Sequence, residues 1–188
     1  MLKEELSLAE QALKAGKIVL YPTDTVWGLG CDVNNEDAIG RILALKRSPA
    51  NKSMIVLVPD TELLYQYVHK VPDLAWELIE YSEKPLTIIY PEGKNVASSL
   101  LAEDGSLAIR VVRDSFCRDF LRKAKRGIVS TSANFSGESA PASFNLIDSR
   151  IISGADYVVQ YGQRDKAAYP PSTIIKIGYD GEFKFIRK

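Results

Sequence analysis

A single α/β domain built on a mixed sheet is what the sequence predicts, and three observations predict it. Short apolar runs alternate with amphipathic helical stretches along the chain, the pattern of a sheet flanked by helices. Runs such as Met54–Val58 are continuously apolar, which is expected of strands covered on both faces. The last two runs are separated only by Gly178-Tyr179-Asp180-Gly181, a hairpin signal that makes one pair antiparallel and the sheet mixed. With 188 residues, 46% hydrophobic and 26% charged, the chain can bury one good core and is short for two, so residues 1–188 are expected to form one domain.

The elements follow in order. Leu6, Ala9 and Leu13 share one helical face, and Gly16 closes that helix. Lys17–Tyr21 is a first strand, followed by a loop of unusual make-up, Pro22-Thr23-Asp24-Thr25-Val26-Trp27-Gly28. Asn34 or Asn35 caps a second helix whose inner face is Ile39, Ile42 and Leu43. After the strand Met54–Val58 come helical stretches at Thr61–Val68 and after Pro72, the latter with Leu74, Leu78 and Ile79 on one face. Leu86–Tyr90, Leu107–Val112 and Gly127–Ser130 read as strands, with helices near Val96–Leu101 and Asp114–Lys125 between them. A helix near Phe144–Ile152 precedes strand-like Tyr157–Gln160, Thr173–Ile177 and Phe183–Ile186.

Composition narrows the partners. Lysine plus arginine (24) balances aspartate plus glutamate (24), so any anion site must be local, not a property of the whole surface. Cys31 and Cys117 suit a reducing compartment and form no metal-ligand spacing with the lone His69. The first residues, MLKEELSLAEQALKAGK, lack the apolar core of a signal peptide, and no run approaches the roughly 20 apolar residues of a membrane span. A cytoplasmic protein is expected.

The chemistry gathers at strand ends, where the groups of an α/β protein converge on one crevice. Thr23, Asp24 and Thr25 follow the first strand, and Lys46-Arg47-Ser48-Pro49 with Lys52 follow the second helix. Ser130-Thr131-Ser132-Ala133-Asn134-Phe135-Ser136-Gly137 ends another strand, Pro171-Ser172-Thr173 opens one, and Arg187 ends the last. Hydroxyls, amides and cations without a nucleophile–base pair suit the holding of phosphates and a carboxylate. Each has a plainer reading: turn and cap chemistry for the serines, a solvated helix end for the lysines. Arg110 differs, because a guanidinium inside LAIRVV cannot be left unpaired, so it reaches either a buried carboxylate or a ligand. No GxGxxG and no GxxxxGK[ST] occurs.

In order, YPTDTVWGLG, LKRSPANKSMIVLV, LAIRVV, STSANFSG and PSTIIKI resemble the signature blocks of the YrdC-like threonylcarbamoyl-AMP synthases, over residues 21 to 177. The resemblance implies a three-layer YrdC-like fold: a twisted mixed sheet with an open central cavity, in a single-domain version. It implies a nucleotidyltransferase joining L-threonine, bicarbonate and ATP into threonylcarbamoyl-AMP and pyrophosphate, for the threonylcarbamoyladenosine of transfer RNA. Thr25, Arg110, Ser130 and Ser172 match the threonine side. Lys46, Ser48, Lys52, Ser106, Ser132, Asn134 and Arg187 match the ATP side, with Lys46, Ser132 and Asn134 nearest the chemistry. Magnesium would arrive with ATP, with no protein ligands of its own. A contact with tRNA or double-stranded RNA and a tRNA threonylcarbamoyl-transferase complex are further partners it implies, and a nucleic-acid-binding module of the same fold is the rival. The chain departs from the family in reading Lys46-Arg47-Ser48 where Lys-x-Arg is usual, and Ala140 where a serine is usual. Because Pro49 favours an extended Ser48, Arg47 is expected to point away from the phosphates, with the helix regular through Lys46.

Overall fold

The computed structural model describes residues 2–50, 52–165, 167 and 169–188. Its elements run α1 (Leu2–Lys14), β1 (Val19–Tyr21), β2 (Gly28–Gly30), α2 (Glu36–Leu45), β3 (Ile55–Val58), α3 (Thr61–Leu64), α4 (Asp73–Tyr81) and β4 (Leu86–Tyr90). The second half adds β5 (Leu107–Val111), α5 (Ser115–Ala124), β6 (Ile128–Ser132), α6 (Ser149–Gly154), β7 (Tyr157–Val158), β8 (Thr173–Ile177) and β9 (Phe183–Arg187). All nine strands form one sheet in the order β7-β1-β2-β6-β3-β5-β4-β8-β9. It is mixed as expected: β1–β7, β3–β5 and β4–β8 are parallel, and the remaining pairs antiparallel.

Local chemistry explains most boundaries. Asn35, and not Asn34, caps α2 by accepting from the Ala38 amide. Asp114 caps α5 through Cys117, and Gly16 (φ 71°) ends α1 in the left-handed conformation. Three expected helices are shorter. The stretch from Thr61 stops at Leu64, because Val68 leaves to form a bridge with Gly93. Ser98–Leu100 is a single 3₁₀ turn. Phe144–Ile152 splits into a 3₁₀ turn and α6, since Asp148 turns its side chain back onto the Arg150 amide and starts a new helix. β2 is a strand inside what reads as loop; two of its three residues are glycine, which carries no strand signal.

Register decides which residues share a face, since paired residues point the same way. Leu57 on β3 pairs with Ile128 on one side and Arg110 on the other. Ile88 opposite Ile109 sets Thr87 beside Arg110, and Thr87 pairs with Ile174, which pairs with Arg187. One transverse row therefore carries Arg110, Thr87 and Arg187. On the same side at the other end of the sheet, Tyr21 of β1 meets Phe120 of α5 edge to face, with ring centroids 5.6 Å apart. The opposite side packs under α4, where Ile79 meets Ile88, Tyr90 and Ile109 around a small cavity. Cover on both faces holds for the middle of the sheet and not for its end: every residue of β9 is exposed. No helix of the described residues is long and apolar enough to cross a membrane.

Candidate functional site

Two polar centres sit on the Arg110 side of the sheet. The first is built by the end of β1, by β5 and by β6. Arg110 is only 3% exposed, because it lies on a core strand between buried Ile109 and Val112. Its Nη2 lies 2.9 Å from Asp24 Oδ1 and 3.4 Å from Thr23 Oγ1. Thr23 Oγ1 lies 3.0 Å from Thr25 Oγ1 and accepts from the Thr25 amide, which folds the loop into a tight knot of hydroxyls. Trp27 anchors that loop: it is buried, and its ring meets Phe144 at 4.8 Å. Ser130, on the same face of β6, approaches so near β2 that a methyl group on Gly28 would meet its hydroxyl at 2.9 Å. The buried Tyr21 phenol joins them, its ionisation pushed far up by desolvation. Arg110 therefore reaches a buried carboxylate, the first of its two sequence alternatives, without being filled by it. Nε of Arg110 and Oδ2 of Asp24 are buried with no partner, whereas Oδ1 is held in the ion pair.

Further along the row, Ser172 is buried with its hydroxyl 2.8 Å from that of Thr87. Arg187 reaches back from β9 to donate Nε to the Ser172 carbonyl and Nη2 to its hydroxyl. Although Arg187 as a whole is exposed, its guanidinium is held below its usual range by desolvation first and by the charge of Arg110 second.

The second centre joins the end of α2 to the loop after β6. Lys46 is 4% exposed, and its ammonium donates to the carbonyls of Ser132 and Asn134. In return the Lys46 carbonyl accepts from the Ser136 amide. Desolvation, then the nearby charge of Lys52, lowers the Lys46 ammonium to about 8. The Asn134 amide donates to the carbonyls of Phe135 and Glu138, leaving its Oδ1 without a partner, as is the buried hydroxyl of Ser48. Lys52 is exposed beside them.

Between Lys46 and Ser48 the chain does something the sequence argument omits. Arg47 has φ 53°, its amide donates to Ala44 and that of Ser48 to Leu43, a Schellman closure with arginine where glycine is usual. The guanidinium is turned aside onto the Phe135 ring, 4.8 Å from its centroid, and Arg150 lies over the same ring at 4.6 Å. So α2 is indeed regular through Leu45, with Lys46 still helical as its cap. The left-handed turn at Arg47 carries its side chain onto Phe135.

Ser106 is hydrogen-bonded to neither centre. Its hydroxyl and amide donate to Asp104, which also pairs with Lys176 at 2.5 Å, and its carbonyl accepts from Ala102. The thiols take no part: Cys31 and Cys117 are buried and free, and burial pushes both up, Cys31 to about 12. His69 is exposed. Asp24 is the residue that the strand-end inventory names without assigning it any role. Its signal was its neighbour Arg110, whose need for a carboxylate is visible only once the two are known to meet.

Comparison with known proteins adds the context. A family model for the Sua5/YciO/YrdC domain, described as "Telomere recombination", matches residues 11–188. The threonylcarbamoyl-AMP synthase of Idiomarina loihiensis is 32% identical over 154 residues, covering 80% of this chain and 82% of its own. Among solved structures, E. coli YciO superposes with a TM-score of 0.82 at 20% identity, over 100% of this chain and 90% of that one, a likeness of fold. The H234A/Y235A form of P. abyssi Sua5 gives 0.81 at 25% identity over 91% of this chain, which spans about half (52%) of that longer protein.

Proposed function

Since the chain belongs to the Sua5/YciO/YrdC family, we propose that it is a threonylcarbamoyl-AMP synthase, which joins L-threonine, bicarbonate and ATP and releases pyrophosphate. The observation that carries this reading is Arg110: a buried guanidinium in a core strand whose Nε lacks a partner, with the Thr23 hydroxyl beside it and that of Thr25 bonded to Thr23. A free donor of that kind suits a small ligand with a carboxylate.

Thr25, Arg110, Ser130 and Ser172 hold threonine in this reading. Lys46, Ser48, Lys52, Ser132, Asn134 and Arg187 hold ATP, and Ser106, whose hydroxyl proton goes to Asp104, would join them as an acceptor. The threonine nitrogen joins the carbon of bicarbonate with loss of water and a proton, leaving a carbamate. An oxygen of that carbamate then attacks the α-phosphorus of ATP, forming the mixed anhydride as pyrophosphate leaves. Two anions must meet in this step, and their repulsion falls only where cations screen them. The Lys46 ammonium, fixed by two carbonyls, keeps one N–H for the phosphates, and Lys52 adds a second charge. Magnesium enters with the triphosphate as part of the substrate and neutralises its charge. The unpartnered Ser48 hydroxyl and Asn134 Oδ1 are the groups free to meet the phosphates or their magnesium. No side chain need become covalently bound. The product serves modification of transfer RNA at the hands of a separate transferase.

Pyrophosphate release tests the reading. ATP turnover should need both L-threonine and bicarbonate, with AMP-linked carbamoylthreonine as product. Turnover without threonine, or release of ADP and phosphate, overturns it.

A further inference from the structure

The ion pair between Arg110 and Asp24 is incomplete in a particular way. An arginine that serves only to balance a carboxylate usually meets it with two parallel N–H bonds. Here Nη2 lies 2.9 Å from Asp24 Oδ1, while the second carboxylate oxygen, Oδ2, is buried with no partner. The Asp24 side chain is 9% exposed, so water does not bathe it. Nε of Arg110, on the neighbouring edge of the guanidinium, is equally without a partner. Buried polar groups left open on both members of a pair are costly unless something fills them. A ligand that fills both must offer an anion to the arginine and a cationic donor to the aspartate, close together. A free α-amino acid does so, since its carboxylate and ammonium hang on one carbon.

We propose that Asp24 recognises the α-ammonium group of the amino-acid substrate, and that Asp24 and Arg110 together form a template for a zwitterion. The proposal rests on the reading above that an amino acid is a substrate, and deepens it. Arg110 takes the carboxylate through Nε. Asp24 takes the ammonium through Oδ2, the oxygen that Arg110 does not engage, and so fixes the nitrogen that must meet bicarbonate. Thr23, bridging Thr25 and Arg110, holds the loop that carries the aspartate. Carbamoylation removes the positive charge from the nitrogen, so Asp24 favours the substrate over the carbamate made from it.

Calorimetry with L-threonine and with 3-hydroxybutanoate, its counterpart without the amine, provides the test. Wild-type protein should prefer threonine by about tenfold to a hundredfold, the worth of a charge-assisted hydrogen bond. Asp24→Asn should bring threonine down to the level of the des-amino acid and leave the affinity for the latter within about twofold. Equal loss for both ligands would show that Asp24 merely positions Arg110, and unchanged threonine binding would show that it does nothing; either overturns the proposal. Wild-type protein that binds both ligands equally overturns it too, whether or not the variant folds. Failure to bind either ligand removes the functional reading along with it, which the variant outcomes do not.

Discussion

Arg110 shows how far a single residue can be read. A charge inside LAIRVV announces a partner from sequence alone, and the structure supplies Asp24. The converse was not legible, because an aspartate in a turn after a strand is ordinary and its burial depends on contacts 86 positions away in the chain. Arg47 was half legible. The helix regular up to its cap follows from sequence, but the turn at Arg47 is one that local rules did not choose, since a non-glycine residue in the left-handed region costs roughly 1 kcal/mol. The stack on Phe135 offsets part of that, at about 0.5–1 kcal/mol for an exposed cation–π contact. The two terms predict a paired outcome in chemical denaturation. Arg47→Ala keeps the strain and loses the ring contact, so it should destabilise by about 0.5–1 kcal/mol. Arg47→Gly loses the contact and the strain together and should stay near wild type. If alanine and glycine behave alike, the left-handed turn is not what Arg47 contends with.

Among the elements, β2 was the one the sequence concealed, and its glycines govern the first polar centre. At Gly30 an added methyl group would meet the Val129 carbonyl at 2.4 Å and the Tyr21 ring at 2.7 Å, and backbone cannot step aside. At Gly28 the obstacle is the Ser130 hydroxyl at 2.9 Å, with the Thr131 carbonyl at 3.4 Å. The two sites should therefore fail differently. Gly30→Ala should cost about 2 kcal/mol or more of stability, as overpacking against fixed atoms does. Gly28→Ala should keep most of its stability and lose threonine affinity, because the serine is pushed from its place. Thermal melts beside threonine titrations separate these outcomes, and a Gly30→Ala protein as stable as wild type refutes the crowding. By contrast the long helices α1, α2 and α5 were legible to within a few residues, since each carries its own apolar stripe and its own terminal signals.

For the whole molecule, the mixed sheet was legible because its turn chemistry is local, while strand order was not, because it rests on pairings far apart in sequence. The buried titratable groups then set how the molecule responds to alkali. Lys46 is lowered to about 8, so between pH 8 and its unfolded value the native state binds fewer protons than the unfolded chain. In that window rising pH adds stability through Lys46, and falling pH through 8 removes it. Cys31, Cys117, Tyr21 and Tyr90 act the other way, as burial raises each of them and their unfolded counterparts ionise first. Net stability should fall above about pH 9, and Lys46→Met should fall more steeply than wild type, by up to about 1.4 kcal/mol per pH unit. Denaturant midpoints from pH 7 to 10 measure this. Parallel curves for the two proteins would mean that Lys46 is not depressed. If Lys46 meets the phosphates as proposed, the same titration should weaken ATP binding above about pH 8, and ATP titrations at pH 7 and 9 measure this.

The glycines of β2 also set the direction in which this site can be altered. A pocket wall made of side chains can be cut back one methylene at a time, and so widened. The wall behind Ser130 is main chain, with nothing left to remove. With the threonine site placed as proposed, a larger amino acid could be admitted only through the Thr23–Thr25 loop or Ser130 itself, whereas one methyl group at Gly28 already crowds the serine hydroxyl.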